Sequence, residues 1–374
     1  MLEPNEAANA RVNALLGDPR PTMDLSIRSP LDLVALRARW EEVEACPVVC
    51  AKREDGLDHS WAGLDIRTYL RGEQSAGRLS AHSVKLAPGA AIATHYFDDV
   101  ETFIMVVEGT PELQVGDLVE ASDRYSIAYA PARTRVAFRN KSDVSAWLNI
   151  IYFKAGMERA FAEAHDHWQQ TQSQDMSSYV DILSRHGFQF GDQPLENDGR
   201  TNAIICPVEF EFGAEANIEA LRQRLYERPA VPRLVHTSEA EVATDGPDSG
   251  FRKRVLSSDE SGGSAMINFV ARIPPAPKHY QPTEEELFFI LDGSLAMTCG
   301  TASVVLSKGA MAFAPRNCTH AFGPPAPSVD HKFMTFNTPG GHEHAMAELR
   351  RRQMVGITDK EYRELSAIGG FIIQ

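Results

Sequence analysis

The chain has 374 residues and a net charge of −14, with 43% apolar and 24% charged side chains. That apolar share suits packed cores and excludes disorder as the main state, and the length suggests two or three domains. The acidic balance argues against a nucleic-acid partner, no apolar run reaches the ~18 residues that span a bilayer, and MLEPNEAANA has no signal-peptide character, so a cytoplasmic protein is expected.

Residues 1–75 read as a helical extension with lead-in strands, its helix opening at Ser29 with Pro30 in the first helical position. Residues 76–165 read as β. FIMVVEG, LQVGD and SIAYAP are short strands closed by Gly or Pro, and a helix follows from Gly156. Residues 166–250 form a helical linker and lead-in. VDILSRHGFQFGD is a helix ended by Gly187, and ANIEALRQRLYER places Ile218, Leu221 and Leu225 on one face. Residues 251–345 are β again, with LFFILDG, AMTCGT and AMAFAP, then a helix from Gly341. The tail, 346–374, reads as helical.

An internal repeat ties the two β segments together. His95 and His279 lie 184 residues apart, as do Gly109 and Gly293, Gly116 and Gly300, and Pro131 and Pro315. An offset held without drift marks a duplicated domain. Cys46, Cys50, Cys206, Cys299 and Cys318 are few, odd in number and scattered, which suits a reducing compartment.

Chemistry concentrates in the second unit. His279 and Gln281 share a strand face, Glu286 opens the next strand, and His320 lies on a later one. Two imidazoles, a carboxylate and an amide oxygen, with open positions, suit non-haem Fe(II). In the first unit His95 is kept, but Phe97, Thr102 and Val136 stand where Gln281, Glu286 and His320 do, and Glu101 faces the other way. That unit reads as a degraded site. Glu284 and Glu285 read as a solvated turn, with Glu284 the substitute ligand if the register slips. His165, His167, His342 and His344 read as solvent-facing on helices. Phe288, Ile290 and Phe322 share the ligands' phase, with Phe313 and Phe336 as further substrate-lining candidates. This aromatic lining suits a planar or phenolic substrate. Arg316 is placed at the rim, and Arg252, Lys253 and Arg254 read as a solvated edge strand, with reach to a substrate carboxylate as the alternative.

PKHYQPTEEELFFILDG and GAMAFAPRNCTHAFG resemble the two motifs of the cupin superfamily. His279, Glu286 and His320 match its metal ligands. Gln281 replaces a second His, Asn317 a usual Gly, and Gly323 or Pro324 a common Asn. The resemblance implies an all-β fold: two tandem jelly-roll barrels with peripheral helices. The bicupins it looks like include gentisate-type and quercetin-type dioxygenases and oxalate decarboxylases. They imply one divalent metal per chain, Fe(II) favoured over Mn, Ni or Zn, and a small-molecule substrate with O2 beside it. A non-oxidative decarboxylase, isomerase or lyase, with Glu286 or Tyr280 in acid–base work, is the alternative, and a non-catalytic binder the third reading. A homo-oligomer is compatible with all three.

Overall fold

The computed structural model describes residues 49–51, 57–191, 230–246, 250–299, 302–353 and 356–374, with Arg222 and Leu225. The expected helix from Ser29, Cys46, Cys206 and most of ANIEALRQRLYER lie outside the described residues.

Two jelly-roll barrels follow one another along the chain. In the first, a seven-stranded sheet faces a five-stranded one. The seven-stranded sheet takes in Leu57–Trp61 and Leu64–Leu70, upstream of residue 76. In the second, the long strand Glu285–Cys299 runs through both faces of the barrel. The first barrel has two strands there, Glu101–Glu108 and Glu112–Val115. Pro111 accounts for the break, since it has no N–H for the ladder, while Leu295 at the same repeat position continues it. Gly109 and Gly293 both hold positive φ, 81° and 68°. A Cβ at Gly293 would meet the Asp330 carbonyl oxygen at 1.8 Å, so only glycine fits.

The barrels exchange edge strands reciprocally. Val49–Ala51 pairs with Met311–Ala314 of the second barrel, and Arg233–His236 with Ser126–Ala130 of the first. The registers Val49 to Phe313 and Arg233 to Tyr129 are related by the same repeat.

Each barrel has an inner core, and a third core lies between them. Val270, Phe288, Ile290, Phe322 and Phe333 fill the second barrel. The core between the barrels joins Phe103, Met105 and Tyr129 to Leu287, Phe289, Phe313 and Phe336. Phe336 meets Phe103 edge-on at 4.8 Å and stacks on Phe153 at 5.0 Å. Arg78 of the first barrel reaches Glu285 of the second, both fully buried.

The helices are peripheral but docked. In Met157–Thr171, Met157, Ala160, Phe161 and Ala164 pack into the first barrel's core. Its Glu158 carboxylate accepts from the backbone N–H groups of Gly72 (2.9 Å) and Gly156 (3.0 Å). Glu343 does the same for Ser258 (2.7 Å) and Gly341 (3.0 Å) in the second unit. The helix expected to end at Gly187 spans Ser177–Arg185, and Gly187 follows with φ 93°.

Two histidines of the first barrel make stability depend on pH. Burial, with His59 nearby, holds the His82 imidazole at about 3, and burial holds His95 at about 4. In the unfolded chain each takes up a proton below its ordinary 6.5. Between these limits the unfolded chain binds more protons, so stability falls as pH drops from 6.5 towards 4. The expected slope is about 1.4 kcal/mol per pH unit for each histidine. Denaturant unfolding from pH 7 to 4.5 checks it. His82→Gln should flatten the slope by about one proton's worth, and an unchanged slope would show that His82 does not set it.

Candidate metal centre

Strand pairing assembles the site. His279 on His279–Tyr280 lies directly opposite His320 on His320–Gly323, and the two rings meet at 4.3 Å. Glu286 enters from the long strand, and ligand atoms of the three residues all lie within 4.8 Å of one another. All three are buried, as is Gln281.

Hydrogen bonds fix both imidazoles for ligation. His279 Nδ1 donates to the Pro277 carbonyl at 2.7 Å, and His320 Nδ1 to the Cys318 carbonyl at 2.9 Å. A carbonyl only accepts, so each Nδ1 carries the proton and each Nε2 is turned inward. His279 Nε2 is buried with no hydrogen-bond partner among the described residues. His320 Nε2 meets Glu286 Oε2 at 3.3 Å, and the Gln281 amide donates to the same oxygen at 3.1 Å. Burial alone would raise Glu286, but the bond and charge of His320, then His279 and Gln281, hold its carboxyl at about 2. Burial and the neighbouring His320 push His279 down to about 4. Burial also works against a charged His320, but the Glu286 carboxylate outweighs it and raises that pKa. One carboxylate and two inward Nε2 atoms, one of them orphaned, fit a divalent metal.

The first barrel shows the same frame without the donors. His95 lies opposite Val136, and its Nδ1 donates to the Ala93 carbonyl at 2.8 Å. Its Nε2 is also orphaned, but Phe97 and Phe188 enclose the ring at 5.4 and 4.8 Å. Glu101 faces the core between the barrels, where Tyr129 bonds it at 3.1 Å.

Several expected placements are corrected. Phe288, Ile290 and Phe322 do line the inside of the second barrel, but Phe313 and Phe336 lie opposite Leu287 and face the first barrel. Tyr280 pairs with Ile372 and points to the other side of its strand from His279, away from the three ligands. Glu284 and Glu285 are no solvated turn, for both are buried. Glu284 is held by Arg222 (2.7 Å), Asn337 (3.0 Å) and His342 (2.5 Å), which leaves it no part as a substitute ligand. His342 is therefore buried rather than solvent-facing, His344 reaches Asp259 at 3.4 Å, and His165 takes the Ser60 N–H at 3.0 Å. Arg316 is 3% exposed, not at the rim. Arg252 and Arg254 lie opposite Val270 and Asn268, so they face into the barrel rather than out from an edge.

Sequence reasoning gave no role to the C-terminus. Ile372–Ile373 pairs with His279–Tyr280, and the Phe371 ring stacks on His279 at 3.9 Å. The tail walls one side of the site. Its Phe-Ile-Ile run, an apolar stretch beyond a helix, was the available signal.

Residues 269–328 match the family model described as a cupin domain. Among solved structures, the chain is similar to protein Ylba from E. coli, 10% identical, covering 79% of this chain and 92% of that one with a TM-score of 0.51. Two variants of Bacillus subtilis oxalate decarboxylase align at 12% identity and a TM-score of 0.50. They cover 79% and 87% of this chain and 78% and 89% of their own. At such identities the likeness concerns the fold alone. Among curated proteins none matches the chain in sequence.

Proposed function

We propose that the chain is a metal-dependent bicupin enzyme, a non-haem Fe(II) dioxygenase acting on an aromatic or enolic small molecule. The observation that carries the metal reading is the buried, partnerless His279 Nε2 turned towards Glu286 and His320. A divalent metal bound there would supply Lewis-acid and redox chemistry to a substrate oxygen. The chain's own residues do the rest. The carbonyls of Pro277 and Cys318 lock the imidazoles in place, and Gln281 steadies the Glu286 carboxylate. Phe288, Ile290 and Phe322 give a dry wall that suits a flat ring or enol. The Phe371 stack on His279 keeps water from that side.

A non-oxidative reaction on the same scaffold is the second reading. Bacillus subtilis oxalate decarboxylase, similar in fold, has Mn(II) centres. Oxygen uptake separates the two. With Fe(II)-loaded protein and a panel of phenolic and enolic acids, the expected result is substrate-dependent O2 consumption. Release of CO2 without O2 uptake would favour the decarboxylase. Neither product nor uptake, with ligand bound, would favour a binding protein.

A further inference from the structure

The strand Gly250–Leu256 is half-buried as far as Arg254 and buried at Val255 and Leu256, and its two faces have opposite jobs. Val255 and Phe251 pack into the core between the barrels. Arg252 and Arg254 take the other face. Arg252 lies opposite Val270, a member of the inner core with Phe288 and Phe333. Arg254 lies opposite Asn268, whose amide donates to Thr335 at 3.3 Å, and Thr335 in turn lies opposite Phe288. Directly opposed residues share a face, so both arginines enter the same chamber as Glu286.

Two fully buried arginines nearby are held by partners. Arg222 is held by Glu284 and the Gly340 and Pro339 carbonyls, and Arg78 by Glu285. The charge of Arg254 is felt by Glu343 and His344 at the head of the following helix. Arg252 has no hydrogen bond or ion pair among the described residues. Burial pushes its pKa below the ordinary value, and the opposing influence is the Glu286 carboxylate. A half-buried guanidinium that faces the barrel interior without a partner is ready to take an anion. Glu286 with a divalent metal would leave one net positive charge and Arg252 would make it two, while the charge of Arg254 is set against Glu343 and that of Arg222 against Glu284. Among the described residues, no carboxylate besides Glu286 is set against Arg252.

Resting on the metal-enzyme reading above, we propose that Arg252 receives a substrate carboxylate inside the second barrel. The substrate class is then a small aromatic or enolic acid. Its hydroxyl or enol oxygen points towards His279, Glu286 and His320, its flat body lies against Phe288 and Phe322, and its carboxylate meets the guanidinium fork.

Salicylate and phenol test this directly, because they share a ring and a hydroxyl and differ by the carboxylate. Binding is measured by calorimetry on the full chain, with and without Mn(II), and metal content is followed separately. Wild type should bind salicylate at least about tenfold more tightly than phenol, the return on one charge-assisted pair. Arg252→Gln should erase that preference while leaving phenol binding and Mn(II) content unchanged. Arg252→Lys, which keeps the charge and loses the fork, should retain part of it, and it decides the matter if the Gln variant does not fold. Equal affinity for the two probes in wild type, or a preference that survives Arg252→Gln, would overturn the assignment. Mn(II) bound without any salicylate preference would sink only the carboxylate site. A salicylate preference that depends on Arg252 in protein that binds no metal would sink only the metal reading.

Discussion

His320→Ala should lose its bound metal and its turnover, while His95→Ala keeps both. The two positions are not repeat equivalents, but they belong to the same strand pair in their respective barrels: His279 faces His320, and His95 faces Val136. Removing His320 deletes one of three donors, so metal affinity should fall by more than the roughly 10–100-fold that follows loss of a supporting partner. The fold should persist. Glu286 keeps the Gln281 amide and can take up a proton, and the barrel's packing rests on Phe288, Phe322 and Phe333. His95→Ala removes a ring packed between Phe97 and Phe188, so its effect should appear in thermal unfolding and not in metal content. Equal metal loss in the two variants would mean that the barrels share the chemistry. Retained metal in His320→Ala would remove His320 from the ligand set.

Arg78→Met should destabilise the protein by about 3–5 kcal/mol, the usual cost of stranding one member of a buried ion pair. Glu285 is fully buried, and Arg78 is the partner that carries its counter-charge across from the other barrel. Without Arg78 a carboxylate sits uncompensated between two apolar cores. Replacing both residues, as Arg78→Met with Glu285→Leu, should recover most of the loss, because no charge is then left behind. The four proteins of this cycle are compared by denaturant midpoint. If the double variant is as damaged as the sum of the singles, the pair does not couple the barrels.

The site ligands were legible because period-two alternation and the repeat offset both constrain them. His279, Gln281, Glu286 and His320 fall on one inner surface as their strand parity requires. Parity alone could not tell inside from between. In this fold both faces of the shared sheet are buried, one in the barrel and one against the other barrel. Phe313 and Phe336 are apolar and buried, yet they belong to the second of these surfaces. The same ambiguity hid Arg252 and Arg254: with Phe251 and Val255 on a buried face, the alternate positions looked solvent-exposed, though that face is the barrel's interior. Glu284 and His342 were misplaced for another reason. Glu284 is paired with Arg222, 62 residues before it in sequence, and with His342, 58 residues after it, and no local pattern announces such pairings. The two-barrel fold itself followed from the repeat, because Gly109 and Gly293 and the paired Pro positions punctuate each unit at the same places.

Metal content per chain tests the central claim most directly. The purified protein, loaded with Mn(II) or with Fe(II) under anaerobic conditions and then dialysed, is assayed by elemental analysis beside Glu286→Gln. A single centre in the second barrel predicts one tightly held metal per wild-type chain and none in the variant. Two metals per chain, or one that survives Glu286→Gln, would contradict it.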